Sequence, residues 1–246
     1  MRLKVDFPAD ERSLRYIEAM EDDPDIKAII SILLDKRKQD FHNYASIICF
    51  CYKEEDLINL PDVKHLPDKV KAWIKRKSFD NDPSYITFFK HLFSLYSGFV
   101  QTYEGWDKLG KHRSVIPEAY VYHRTKERYA SKPQVKVERE CFVVMDGWDS
   151  RKARTKNQGQ KVDVGVWDDA AQHGEVYEVK VKVYIKEKEH QLEFLETIRK
   201  LSDKKIDVFL ASFAPKHVVL QHLKNFFPGR DLSRINILGV EELQNL

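Results

Sequence analysis

The spacing of apolar residues changes once along this chain, and that change limits the folds open to it. Through the first 110 residues apolar side chains recur at three and four, the spacing of a helix with one buried stripe. Beyond about residue 130 they alternate, the spacing of a strand with one buried face. The periodicity predicts helices from Glu11 to Met20, Ile26 to Lys38, Phe41 to Tyr52, Asp68 to Lys77 and Tyr85 to Tyr103. Pro8, Pro24, Pro61, Pro67 and Pro83 punctuate them. The last of these carries Phe88, Phe89, Leu92, Phe93, Leu95, Tyr96 and Phe99, a wide aromatic face that the rest of the chain or a second copy must cover.

Gly105, Gly110 and the run Lys111-His112-Arg113 predict a hinge, so two regions are expected. Residues 1–110 form a helical region serving recognition, regulation or dimerisation, and residues 111–246 form a second domain. The second opens with a helix from Ser114, a good N-cap with Pro117 in the first turn, to about Tyr129. Strands follow at Val135 to Trp148, bent or broken near Glu140, at Lys161 to Trp167 and at Glu175 to Tyr184. A helix from Lys186 to Leu201, a strand from Ile206 to Phe213, a helix from Pro215 to Phe227 and a strand from Ile235 to Val240 complete the order α-β-β-β-α-β-α-β. The fold class is α/β: a mixed sheet flanked by helices.

The longest uncharged apolar stretch, Tyr44 to Tyr52, is far shorter than the ~20 residues a spanning helix needs, so no membrane partner is expected. The amino-terminal residues contain no apolar leader, and a cytoplasmic location is expected. Cys49, Cys51 and Cys141 have no metal-ligand spacing and read as packing residues. Charge is uneven: residues 1–110 hold 17 Lys/Arg against 19 Asp/Glu, whereas residues 111–246 hold 25 against 20. The local positive charge suits a polyanion.

Alternation places Glu178, Lys180 and Lys182 on one face of the third strand, and Tyr177, Val179, Val181 and Val183 on the other. Asp163 is the one acid in the strand Lys161 to Trp167. A hairpin around residues 168–174 sets Val164 to Trp167 opposite Glu175 to Glu178 and brings Asp163 toward Glu178 and Lys180. Hard divalent cations are commonly held by one or two carboxylates together with water and phosphate oxygens, so Asp163 and Glu178 can hold Mg²⁺. Lys180 is placed to orient or deprotonate an attacking water and to offset charge on a pentavalent phosphate. The competing reading is the wet face of an edge strand.

Arg151, Lys152, Arg154 and Lys156 form a basic loop just before Asp163, placed to hold a phosphate backbone, as is Lys182. Lys69, Lys71, Lys75, Arg76 and Lys77 surround Trp73 on an amphipathic helix with a basic outer face. GxGxxG, GxxxxGK[ST], HExxH and GxSxG are absent, which argues against nucleotide-binding ATPase, dehydrogenase, zinc-hydrolase and serine-hydrolase chemistry.

Asp163, Glu178-Val179-Lys180, the helix containing Gln191 and the strand Ile206 to Phe213, in this order of elements, resemble the PD-(D/E)XK nuclease superfamily, with Val162 where the name-giving Pro would stand. The resemblance covers roughly residues 114–246 and implies a restriction-endonuclease-like fold and Mg²⁺-dependent hydrolysis, with Mn²⁺ substituting. It implies a DNA endonuclease more readily than an RNA-cleaving enzyme. It also implies Asp163, Glu178, Val179 and Glu118 as metal ligands, and Gln191 as a further residue of the site. Glu138 and Glu140 are the alternatives to Glu118 as the additional acid. The rival is a non-catalytic nucleic-acid-binding or assembly protein retaining the fold. Cleavage of both strands by a single-site enzyme would suit a homodimer.

Overall fold

The computed structural model describes residues 2–35, 40–99, 103–152, 159–182 and 189–246. A short strand β1 (Val5–Asp6) precedes helix α1 (Glu11–Glu21), whose N-cap Asp10 accepts from the Arg12 amide. Five more helices follow: α2 (Pro24–Asp35), α3 (Phe41–Phe50), α4 (Glu54–Ile58), α5 (Asp68–Phe79) and α6 (Pro83–Ser97). Pro24 and Pro83 each occupy the first helical position, where a missing N–H costs nothing. Eight of the residues of α3 are buried, so it is the hub of this half.

Helix α7 (Tyr103–Arg128) runs unbroken through Gly105, Gly110 and residues 111–113, where the sequence predicted a hinge. Ser114 is therefore no N-cap, and Pro117 lies inside the helix. The local cap signal is overridden by a long buried stripe: Leu109, Arg113, Ile116 and Tyr120 follow one another at helical spacing. Helix α7 contacts both halves of the chain, α1 and α2 in the first and the large sheet in the second.

Five strands make that sheet, in the order β2-β5-β6-β7-β8: β2 (Val135–Phe142), β5 (Lys161–Asp168), β6 (His173–Lys180), β7 (Ile206–Ser212) and β8 (Asn236–Leu238). The first three pair antiparallel and the last three parallel, which makes it mixed. Helices α8 (Glu189–Leu201) and α9 (Lys216–Phe226) provide the crossovers, and a last turn, α10 (Val240–Leu243), closes the chain. The region predicted as one strand from Val135 to Trp148 divides into β2, β3 (Val144–Met145) and β4 (Trp148–Asp149); the last two join β1 in a small second sheet. Beyond β8 the predicted strand yields to α10, because the Glu242 side chain caps the Gly239 amide at 3.0 Å.

The α/β class read from the sequence is the fold observed: a mixed sheet flanked by helices, with the helical region before it. One core serves both regions. Phe41 of α3 stacks on Tyr120 of α7 with ring centroids 4.4 Å apart, and Phe213, just after β7, meets Phe41 edge-on at 5.7 Å. The aromatic face of α6 is also covered from within: Phe88, Leu92, Leu95 and Tyr96 are buried, and Phe89, Phe93 and Phe99 pack against the same core. A second copy is not needed to cover it. Cys49, Cys51 and Cys141 are free and buried, and burial pushes the Cys49 thiol up to about 12.

Candidate functional site

The β5–β6 ladder runs from Asp168↔His173 to Val164↔Tyr177 and then stops. This register is one residue away from the predicted pairing, and extended by one position it sets Asp163 opposite Glu178. The Asp163 side chain takes over where the ladder ends: its Oδ2 accepts from the Val179 amide at 2.5 Å. Glu178 and Lys180, two apart on β6, share a face, and the Lys180 ammonium lies 2.6 Å from Glu178 Oε1 and 3.6 Å from Asp163 Oδ2. It also donates to the Val179 carbonyl at 2.8 Å. A protein cation thus already sits on three of the oxygen donors assigned to a metal from sequence: Asp163, Glu178 and the main chain of Val179.

Two further carboxylates arrive from neighbouring elements. Glu118 comes from the middle of α7, away from either end of the helix. Glu140 comes from β2, opposite Asp163 in a ladder that pairs Arg139 with Val164 and Cys141 with Val162. Its φ of 46° is left-handed, the break the sequence hinted at. One oxygen each from Glu118, Glu140 and Asp163 lies within 4.8 Å of the others. Glu138 is exposed and turned away from this group, with Lys136 and Asp6 as its charged neighbours.

Electrostatics here are those of crowded, partly buried acids. Burial, reinforced by the charge of Asp163, holds the Glu118 carboxyl well above the usual range, against the pull of Lys180. Burial and Asp163 likewise raise Glu140, and Lys161 opposes them. Burial disfavours the Lys180 charge, but Asp163, Glu178 and Glu118 outweigh it and raise its pKa above that of an ordinary lysine. Without a bound cation Lys180 is therefore a donor and a source of positive charge, not a base.

The donor set fits a hard divalent cation. All the groups offer oxygen, and octahedral Mg²⁺ with bonds near ~2.1 Å spaces its ligand oxygens roughly 3–4 Å apart, within the span of the three carboxylates. The converging acids are Glu118, Glu140 and Asp163, while Glu178 is held by Lys180. All lie along or beside an open cleft of about 640 Å³ lined by Glu140, Lys161, Asp163, Glu178, Lys180 and Gln191, among others.

The expected nucleic-acid contacts are distributed differently. Arg151 is exposed, with its guanidinium on the Asp149 carboxylate at 2.6 Å, and Lys152 is exposed. Arg154 and Lys156 lie outside the described residues. Lys182 donates to the Tyr52 hydroxyl at 2.8 Å and covers the Phe50 ring at 5.3 Å, so it ties the end of β6 to α3. On α5, Lys77 turns to Asp82 at 2.7 Å while Lys75 and Arg76 face outward. Sequence reasoning missed Lys161 and its partners Asp10 and Ser13, which no spacing along the chain connects.

No protein-family model matches the sequence, and neither does any curated protein. Among solved structures, the chain is similar to protein VC1899 from Vibrio cholerae, with a TM-score of 0.43 and 11% identity over 99% of this chain and 56% of that one. It is also similar to Can2 from Sulfobacillus thermosulfidooxidans, solved in complex with cyclic tetra-adenylate, with a TM-score of 0.38 and 10% identity over 85% of this chain and 54% of that one. The chain thus spans about half the length of each of these structures.

Proposed function

We propose that this chain is a metal-dependent nuclease that hydrolyses phosphodiester bonds, with DNA as the preferred substrate and internal cleavage as its mode. The observation that carries this reading is the meeting of Glu118, Glu140 and Asp163 beside the Glu178–Lys180 pair, with Glu140, Asp163, Glu178 and Lys180 lining one open cleft. Asp163, Glu118 and Glu140 would hold Mg²⁺ or Mn²⁺, with Glu178 and the Val179 carbonyl available once Lys180 shifts. The ion, when bound, supplies Lewis-acid charge at a phosphoryl oxygen.

The chain's own groups do the rest. Lys180, held charged, donates toward a water or a phosphate oxygen and offsets negative charge that builds during displacement. Gln191, on the α8 wall of the cleft, would orient the scissile group. Arg151, Lys152 and the remainder of the basic loop, beside the cleft in sequence, would steer the backbone without reading bases. In this reading residues 111–246 carry the nuclease centre, and residues 1–110 serve recognition, regulation or dimerisation.

Asp163→Ala, Glu178→Ala and Lys180→Ala are each expected to lower cleavage of plasmid or linear DNA with Mg²⁺ by at least about a hundredfold, while circular dichroism stays unchanged. Wild-type rates in all three variants would remove this site from consideration. Binding without cleavage by the intact chain, at any divalent ion, would favour the non-catalytic nucleic-acid-binding alternative.

A further inference from the structure

Lys161 opens β5 on the same face as Asp163, and its surroundings are unusually complete. Its ammonium lies 2.9 Å from Asp10 Oδ2 and 3.3 Å from Glu140 Oε2, and it also donates to the Ser13 hydroxyl. An ammonium has three protons, and these three acceptors use them all. Lys161 therefore has no donor left for a substrate phosphate, although it lines the cleft.

The anchor is built from the other end of the chain. Asp10 is the N-cap of α1, and Ser13, in its first turn, donates to Asp10 Oδ2 at 3.0 Å. The main chain repeats the connection: the Asp10 amide donates to the Glu140 carbonyl at 2.8 Å, and the Phe142 amide to the Pro8 carbonyl at 2.9 Å. Glu140 is thus held by the amino-terminal turn directly at its backbone carbonyl and, through Lys161, at its carboxylate. This grip falls on the residue with left-handed backbone geometry, where β2 by itself would not hold the side chain.

We propose that Lys161, anchored by Asp10 and Ser13, is a positioning residue that fixes Glu140 as the third acid of the cation site. The helical half then completes that site through the turn at residues 10–13. The inference rests on the metal-dependent nuclease reading and adds a structural requirement to it.

Two simpler roles make different predictions. If Lys161 merely balanced charge, its removal would tighten divalent-cation binding, because a positive charge beside the acids would be gone. If it only packed, binding would not change. A positioning role reverses the first sign, since loss of an outer partner of a ligand lowers metal affinity by roughly 10–100-fold.

The test is calorimetric titration of the full chain with Mn²⁺ alone. Lys161→Met is expected to weaken Mn²⁺ by about tenfold or more, and Lys161→Arg to recover most of that loss. Asp10→Ala with Ser13→Ala should weaken it in the same direction, and keeps the question open to experiment if Lys161→Met fails to fold. The Lys161→Met/Glu140→Gln double variant should bind no more weakly than Glu140→Gln alone, because both changes remove the same ligand. At saturating Mn²⁺, cleavage by Lys161→Met should return toward wild type. Unchanged or tighter Mn²⁺ binding by Lys161→Met, or losses that add in the double variant, would overturn the role of Lys161 alone. Failure of the wild-type chain to bind Mn²⁺ would overturn the underlying reading with it.

Discussion

Glu118 carries the clearest consequence for a single residue. Its carboxyl is raised by burial and by Asp163, so the folded chain retains a proton there that the unfolded chain has already released. Wherever the folded state binds more protons, stability falls as pH rises, and Glu140 acts in the same direction. In the presence of a chelator, Glu118→Gln is therefore expected to melt at a higher temperature than wild type at pH 8, with the gap closing toward pH 5. Thermal denaturation across that range checks the sign, and superimposable curves would show that Glu118 feels no such crowding. The trade is the one expected of a site that accepts instability for charge chemistry.

Among the elements, β5 shows how closely the two halves are joined. Gly165 stands where a side chain would collide with the Phe7 ring: a Cβ placed there would lie 2.6 Å from Phe7 Cδ1. A strand glycine of this kind marks a close approach, and here it lets the buried Phe7 lie flat on the sheet beside Asp10. Gly165→Ala is expected to destabilise the chain by about 1–3 kcal/mol in urea denaturation, the usual cost of overpacking. A loss below ~0.5 kcal/mol would mean that Phe7 leaves the sheet at little cost. Glu21, the last residue of α1, ties the halves by charge: its carboxylate meets Arg139 of β2 and His123 of α7, both at 2.5 Å, and these partners hold its pKa at about 2 despite burial.

For the whole molecule, the question is how one cleft would serve two strands. A two-fold dimer, one cleft per strand, is the simplest answer. The α6 aromatic face no longer argues for it, because this chain covers that face itself. Sedimentation at micromolar concentration with duplex DNA bound should give, beyond the mass of the DNA itself, about twice 29.1 kDa of protein. A complex with 29.1 kDa of protein that still cuts both strands would exclude the dimer. Among the described residues no helix is long and apolar enough to cross a membrane.

Period and chemistry along the sequence determined the succession of elements from α7 to β8 apart from the division of the first strand into β2, β3 and β4, together with the α/β class and the pairing of Glu178 with Lys180 on one face. Each depends on neighbours a few positions apart, and such spacing is written in the chain. The break at Glu140 was legible for the same reason, as an interruption of alternation. Tertiary structure decided what lies between distant segments. It carried α7 through the expected hinge, because a buried stripe from Leu109 to Tyr120 outweighs a local cap. It chose Glu140 over Glu138 as a member of the acid cluster by turning the backbone at one residue. It also brought Asp10 and Ser13 to Lys161 across about 150 residues, a contact that no periodicity encodes because it arises only when the two halves share a core.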